Sequence, residues 1–235
     1  MSDVAFLCAT ASAVGVVHTL AGPDHYLPFA VLARARGWSA ARAAWVTVLC
    51  GLGHVGSSVG LGLLGLWAGI GLERLAGGES VRGRVASWGL LIFGLVYGLW
   101  GLKHTLRGRR HEHAHSHGSG LHSHLHNHAG DHAHPHDAAE GFRAAPWLLF
   151  ILFVFGPCEP LIPLVMATWA SAGARATAAV SAVFCLATVA AMLGAVFLTL
   201  RGFSLLPLPL LQRFAHALAG GAIAACGAGM VWLGL

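Results

Sequence analysis

"GPDHYLPF" at residues 22–29 returns as "GPCEPLIP" at residues 156–163. The alignment pairs Gly22 with Gly156, Pro23 with Pro157, Asp24 with Cys158, His25 with Glu159 and Leu27 with Leu161. Two later segments keep the offset to within one residue: Cys50 falls on Cys185, and "GLVYG" at 94–98 falls on "GMVWL" at 229–233. Three matches in the same order read as an internal repeat. Each Gly-Pro lies inside a long apolar stretch, so how the chain passes through it decides the architecture.

The 235 residues are 56% hydrophobic and only 10% charged, with 32 glycines. That composition excludes an ordinary soluble domain and points to a polytopic helical membrane protein. Crossing about 30 Å of hydrocarbon takes about 20 apolar residues per helix. Stretches of that kind fall at 4–33, 43–72, 85–103, 145–170, 176–200 and 214–235. The expected fold is therefore all-α, with six transmembrane helices arranged as two three-helix repeats. An odd number of spans per repeat places the two halves in opposite orientations, the inverted-repeat plan of secondary transporters. The expected divisions are a first repeat over 1–103, a disordered histidine-rich loop over 104–143 and a second repeat over 144–235.

The first apolar stretch has no basic n-region, since Asp3 is the only charge before His18, so it reads as a span and not as a signal peptide. The net charge of +5 comes from Lys and Arg flanking spans, with no basic, aromatic-interleaved face for nucleic acid. Loops 1–2, 3–4 and 5–6 carry ten of these residues and loops 2–3 and 4–5 carry four. By the positive-inside rule both termini then lie outside and the histidine-rich loop faces the cytoplasm, in the inner membrane. The five cysteines sit in apolar segments with no C-x-x-C spacing, which gives no disulfide framework or zinc ribbon. Gly56-x-x-x-Gly60 and Gly65-x-x-x-Gly69 read as helix-packing surfaces, not phosphate loops.

Only two acids, Asp24 and Glu159, fall inside predicted spans; Glu73 and Glu79 are placed in a loop. A charge at the bilayer centre costs at least about 2.5–3.5 kcal/mol, so it persists where it is paired or lines a pathway. His54 and Glu159 fall near half-depth in the second and fourth spans, and His18, Asp24 and His25 run from mid-depth toward the cytoplasmic side of the first. On an unbroken helix His18 and His25 would stand about 10 Å apart along the axis, too far to share an ion with bonds near 2 Å. Gly22-Pro23 is expected to break that helix and close the gap, because Pro23 removes a backbone donor and disfavours helix at the residue before it. Pro157, Pro160 and Pro163 are expected to break the fourth helix likewise and to present Cys158 and Glu159. The candidate metal ligands are thus His18, Asp24, His25, His54, Cys158 and Glu159. The plainer alternative is that each polar group hydrogen-bonds across a helix interface. His104 and His216 read as interfacial.

Eleven histidines punctuate the loop: His111, His113, His115, His117, His122, His124, His126, His128, His132, His134 and His136. Neutral imidazole is the commonest protein ligand for nickel, cobalt, zinc and copper, so the string is expected to hold several ions weakly.

At His18, Asp24, His25 and His54 the sequence resembles the nickel/cobalt permeases, whose first signature is a histidine followed closely by Asp-His in an early helix. "HTLAGPDH" is most similar to the urease-accessory branch of nickel transporters, and "GLGH" is similar to a second, histidine-containing motif of the family. The histidine-rich loop resembles that of the efflux members. The resemblance implies first-helix ligands at His18, Asp24 and His25 and a supporting histidine at His54. Five residues separate His18 from Asp24 here, where the family's uptake members have four. "FGPCEPLIPLV" is similar instead to an element of membrane thiol-reductant conductors, which need a cysteine in each repeat; the first repeat offers Asp24 where the second offers Cys158.

The expected function is a permease for Ni2+ or Co2+, with Zn2+ suited to the same ligands. The expected partners are the metal cation, membrane lipid, a cytoplasmic metallochaperone and a second copy of the chain, with no nucleic acid. No prosthetic group and no enzymatic constellation are expected. The alternative is a thiol-disulfide conductor working through Cys158.

Overall fold

The computed structural model describes residues 2–106, 112–117, 120–125, 144–156, 158–204 and 212–234. Seven α-helices make up the described body: α1 (Ser2–Ala21), α2 (Leu27–Ala35), α3 (Ala40–Trp67), α4 (Leu72–Leu106), α5 (Ala145–Phe155), α6 (Leu161–Ser204) and α7 (Ala215–Leu233). Five of them, all but α2 and α5, are long and apolar enough to cross a membrane. Their outward faces carry Phe6, Trp45, Leu99, Leu186 and Leu198, each more than 60% exposed. Apolar cover of that extent matches a lipid-facing surface and not a watery one.

Where helices stop, the sequence supplies a reason. α1 ends at Ala21; Gly22 is extended, and Pro23–His25 form a single 3-10 turn before α2 begins at Leu27. Ser39 caps α3, its Oγ accepting from the Arg42 N–H at 3.2 Å. α3 closes on Gly69, whose φ of 64° lets the Ile70 N–H reach back to the Gly65 carbonyl at 2.8 Å. α5 ends at Phe155, before the Cys158–Pro160 turn. α6 would measure about 66 Å at 1.5 Å per residue, over twice the hydrocarbon thickness. It does not run straight: Gly173 has φ 74° and ψ −175°, a conformation essentially restricted to glycine, and the helix bends there. The expected boundary between the fourth and fifth spans falls at that bend.

Three expectations differ from the structure. Residues 73–84 are not a loop: α4 starts at Leu72, so Glu73 and Glu79 lie in its first turns, and Arg82 is tied down by hydrogen bonds to α3 and α5. Nor are the Gly56/Gly60 and Gly65/Gly69 pairs a shared packing surface. Gly56, Gly60 and Gly69 have open space where a Cβ would sit, and only Gly65 is pressed, by Leu75. α3 packs on two sides, through Gly51 against Val189 and Met192 and Gly62 against Val165 of α6, and through Gly53 against Val154 of α5. In the histidine-rich stretch, expected to lack regular structure, Glu112–His117 and Gly120–Leu125 pair as an antiparallel hairpin with His113 opposite His124 and His115 opposite His122. Alternation of histidine with small residues has the period of a strand.

The tightest helix pair is α4 with α7. Gly94 abuts the backbone of Ala224, Gly98 and Gly220 face each other, and Gly227 rests on Leu91. Small residues on both sides bring the backbones into direct contact, where dispersion does the work that a hydrophobic effect cannot do in lipid. Tyr97 Oη and His216 Nδ1 join the same pair in a hydrogen bond of 2.7 Å. One apolar core collects Phe29, Leu32, Tyr97, Leu149, Phe153 and Ile223; a second collects Val55, Cys158, Leu161, Val165, Val180 and Phe184.

A Cβ at Gly220 would overlap the backbone of Gly98. Gly220→Val therefore destabilises the body by about 3 kcal/mol, the upper end of overpacking costs because backbone cannot swing aside. Thermal unfolding in detergent, with Gly221→Val as the open-space control, checks this.

Candidate metal site

Three histidines from two helices and one turn converge. His18 is in the last turn of α1, His25 ends the 3-10 turn, and His54 lies in α3. One ring nitrogen from each lies within 4.8 Å of the other two. Ring centroids are 4.7 Å apart for His18 and His25, 5.1 Å for His25 and His54, and 6.4 Å for His18 and His54. Seven residues of unbroken helix would set the first pair about 10 Å apart along the axis. The turn at Pro23–His25 brings them together.

The hydrogen bonds around the rings decide which nitrogens are left for an ion. His25 Nδ1 lies 3.2 Å from the Gly22 carbonyl and 3.2 Å from Asp24 Oδ1. His54 Nδ1 lies 3.3 Å from the Phe153 carbonyl. A carbonyl only accepts, so in both rings Nδ1 carries the proton and Nε2 carries the lone pair. The Nε2 atoms of His18, His25 and His54 are all buried without a hydrogen-bond partner. Buried polar atoms are almost always partnered, by protein, water or an ion, and here three unpartnered ones lie in one place. Three imidazole nitrogens suit Zn2+, Ni2+, Co2+ or Cu2+.

The site opens onto a cavity of about 510 Å³ walled by His18, Asp24, His25 and His54, by Ser80, Arg84 and Ser87 of α4, and by Glu159 and Met230. Phe153 packs its ring against His25 at 6.3 Å and His54 at 5.8 Å, which screens the rings on that side.

Of the six expected ligands, the structure groups three. Asp24 lies beside the cluster on the cavity wall, with Oδ1 3.2 Å from Nδ1 of His25, the carboxylate–histidine arrangement that orients a metal ligand. Glu159 is exposed on the cavity wall, outside the close group. Cys158 is fully buried in the second core, with its N–H donating to Ser58 Oγ at 3.0 Å, and does not line this cavity. None of the five cysteines is in a disulfide. His113, His115, His117, His122 and His124 have a described backbone in the hairpin. His111, His126, His128, His132, His134 and His136 lie outside the described residues.

Two contributors carry no signal in sequence. The Phe153 carbonyl is a backbone atom exposed only because α5 ends there. Arg82 reads from sequence as one more flanking positive charge, yet its guanidinium bonds both Ser57 Oγ and the Val154 carbonyl. Comparison of the chain with protein-family models, characterised proteins and solved structures finds no match.

Gly22 leaves room for the His25 ring: a Cβ there would fall 2.6 Å from His25 Nδ1 and 2.7 Å from Asp24 Oδ1. Its φ of −94° suits any residue, so Gly22→Ala disturbs the ring and not the backbone. Cobalt titration followed by visible absorption should show about tenfold weaker binding at this site, the lower end for a disturbed ligand-orienting contact, with the melting temperature unchanged.

Proposed function

We propose that the chain is a secondary transporter moving a divalent transition-metal cation, nickel or cobalt in the first instance, through the His18–His25–His54 site. The observation that carries this reading is a trio of cavity-lining histidines with one ring nitrogen each within 4.8 Å of the others and with their Nε2 atoms buried and unpartnered. Polar groups at membrane depth persist where they serve a pathway. The choice of nickel or cobalt rests on the family resemblance of "HTLAGPDH" and "GLGH", since three imidazoles alone fit several metals.

The inverted-repeat reading supports transport over storage. If α1 corresponds to α5, α3 to the second half of α6, and α4 to α7, then the packing of α1 on α6 has its counterpart in the packing of α5 on α3. The pairs α3–α6 and α4–α7 are then their own counterparts and lie about the pseudo-axis, with the site beside it as in other inverted-repeat carriers. A bare divalent ion would exchange its water for the three imidazoles, with Asp24 holding His25 in the ligating tautomer and Glu159 on the wall as a passing carboxylate. Binding requires each ligating nitrogen to be unprotonated, so protons compete with the ion and provide a route to coupled release. On the positive-inside reading the histidine-rich stretch faces the cytoplasm and collects or presents ions there.

Uptake of 63Ni or 57Co into proteoliposomes tests the reading. His25→Ala and His54→Ala should each lower the rate at least about tenfold, as loss of one ligand in three lowers affinity steeply. Cys158→Ser should leave it unchanged; loss of function in that variant with the histidine variants active would favour thiol-disulfide conduction instead. Deleting 111–136 should reduce the number of ions bound per chain without abolishing transport.

A further inference from the structure

We infer that Arg82 is a positioning residue for the metal site: it clamps the open end of α5 to α3 and so fixes the ring of His54. The inference rests on the metal-site reading above and adds a residue on a fourth helix. The last carbonyls of any helix have no partner within it. At the end of α5 three of them find partners in different ways. The Leu152 carbonyl takes the Gly156 N–H at 2.8 Å, the Phe153 carbonyl takes His54 Nδ1 at 3.3 Å, and the Val154 carbonyl takes Arg82 at 2.8 Å. The same terminal guanidinium nitrogen of Arg82 also donates to Ser57 Oγ at 3.1 Å. Ser57 in turn donates its hydroxyl proton to the His54 carbonyl at 2.9 Å.

These bonds close a loop. From His54 one path runs through its ring to Phe153, along the backbone to Val154 and on to Arg82. The other runs through its carbonyl to Ser57 and on to Arg82. One nitrogen with two protons ties both paths, so the end of α5 cannot slide along α3 without breaking a charge-assisted bond. The His54–Phe153 contact, at 3.3 Å, is the longer bond, and it holds only while that register holds. Arg82 itself does not line the cavity, although Arg84, two residues on, does. Its effect on an ion therefore passes through His54.

The test uses the full chain in detergent, titrated with Co2+ and followed by visible absorption. His54→Ala defines the component that belongs to the buried site, as against the loop. Arg82→Gln should weaken that component by about 10- to 100-fold, as loss of an outer contact to a ligand does, and should shift its bands. Arg82→Lys, which keeps a multi-proton donor, should recover most of it, and Arg74→Gln, an equal charge change at an exposed position of α4, should leave it alone. Added to His54→Ala, Arg82→Gln should have no further effect, because both act on one interaction. If Arg82→Gln keeps the affinity and band positions of a component that His54→Ala removes, the inference is overturned. If His54→Ala removes no component, the metal-site reading fails first. Should Arg82→Gln not fold, Ser57→Ala decides: it cuts one of the two paths and should weaken the component severalfold, and unchanged affinity overturns the inference.

Discussion

A peptide carbonyl released by a helix break has nowhere to turn in hydrocarbon. Water is absent, and each unpartnered group costs several kcal/mol, so a break in a spanning segment needs a donor brought to it from another residue. In this chain two of the donors are histidine rings, beside the Arg82 guanidinium on the Val154 carbonyl. The Gly22 carbonyl takes Nδ1 of His25 beside that residue's backbone N–H, and the Phe153 carbonyl takes Nδ1 of His54. Satisfying the backbone on one side of each imidazole leaves the other nitrogen with a lone pair and no partner. For His25 and His54 the helix ends and the unpartnered Nε2 atoms are thus one arrangement.

Much of this was legible because broken helices announce themselves chemically. Gly22-Pro23 combines a residue without a side chain and one without an N–H, and the elements stop and restart there. The seven-residue gap between His18 and His25 makes sense only with such a stop, and the ring distance of 4.7 Å answers it. Less visible was the role of each residue. Asp24 reads as a ligand by proximity in sequence, and in the structure its Oδ1 also lies 3.2 Å from Nδ1 of His25, a partner that the sequence does not indicate. Cys158 aligns with Asp24, yet it is sunk among Val55, Leu161 and Phe184. Sequence correspondence fixes backbone position and says little about which way a side chain faces after a turn.

The start of α4 departs from expectation for a physical reason too. Charges and glycines at 73–84 look like a loop when the only question asked is whether a segment can cross lipid. A helix that extends beyond the hydrocarbon, or whose arginines find carbonyls inside the protein, passes the same test with a different answer, and Arg82 is of the second kind. The glycine patterns show the converse error. Gly56 and Gly60 hold the Gly-x-x-x-Gly spacing on α3 with open space beside both, whereas the close contact of α4 and α7 uses Gly94, Gly98, Gly220 and Gly227, only partly in that spacing. What counts is whether small residues on both partners fall at the crossing, and that is a property of two helices together.

Charge balance bears on what such a site does with an ion. Three imidazoles bring no charge of their own. Of the two acids near it, Asp24 is engaged with His25 and Glu159 stands exposed on the wall, while Arg84 lines the same cavity. A divalent cation held there keeps much of its charge uncompensated in a medium where compensation matters most. A storage or structural site closes its coordination shell with anionic ligands and becomes a trap. On the transport reading, a shell of neutral nitrogens with acids only at its edge strips the ion of water without binding it too deeply to leave, and the cavity wall offers the next ligand as the first ones let go.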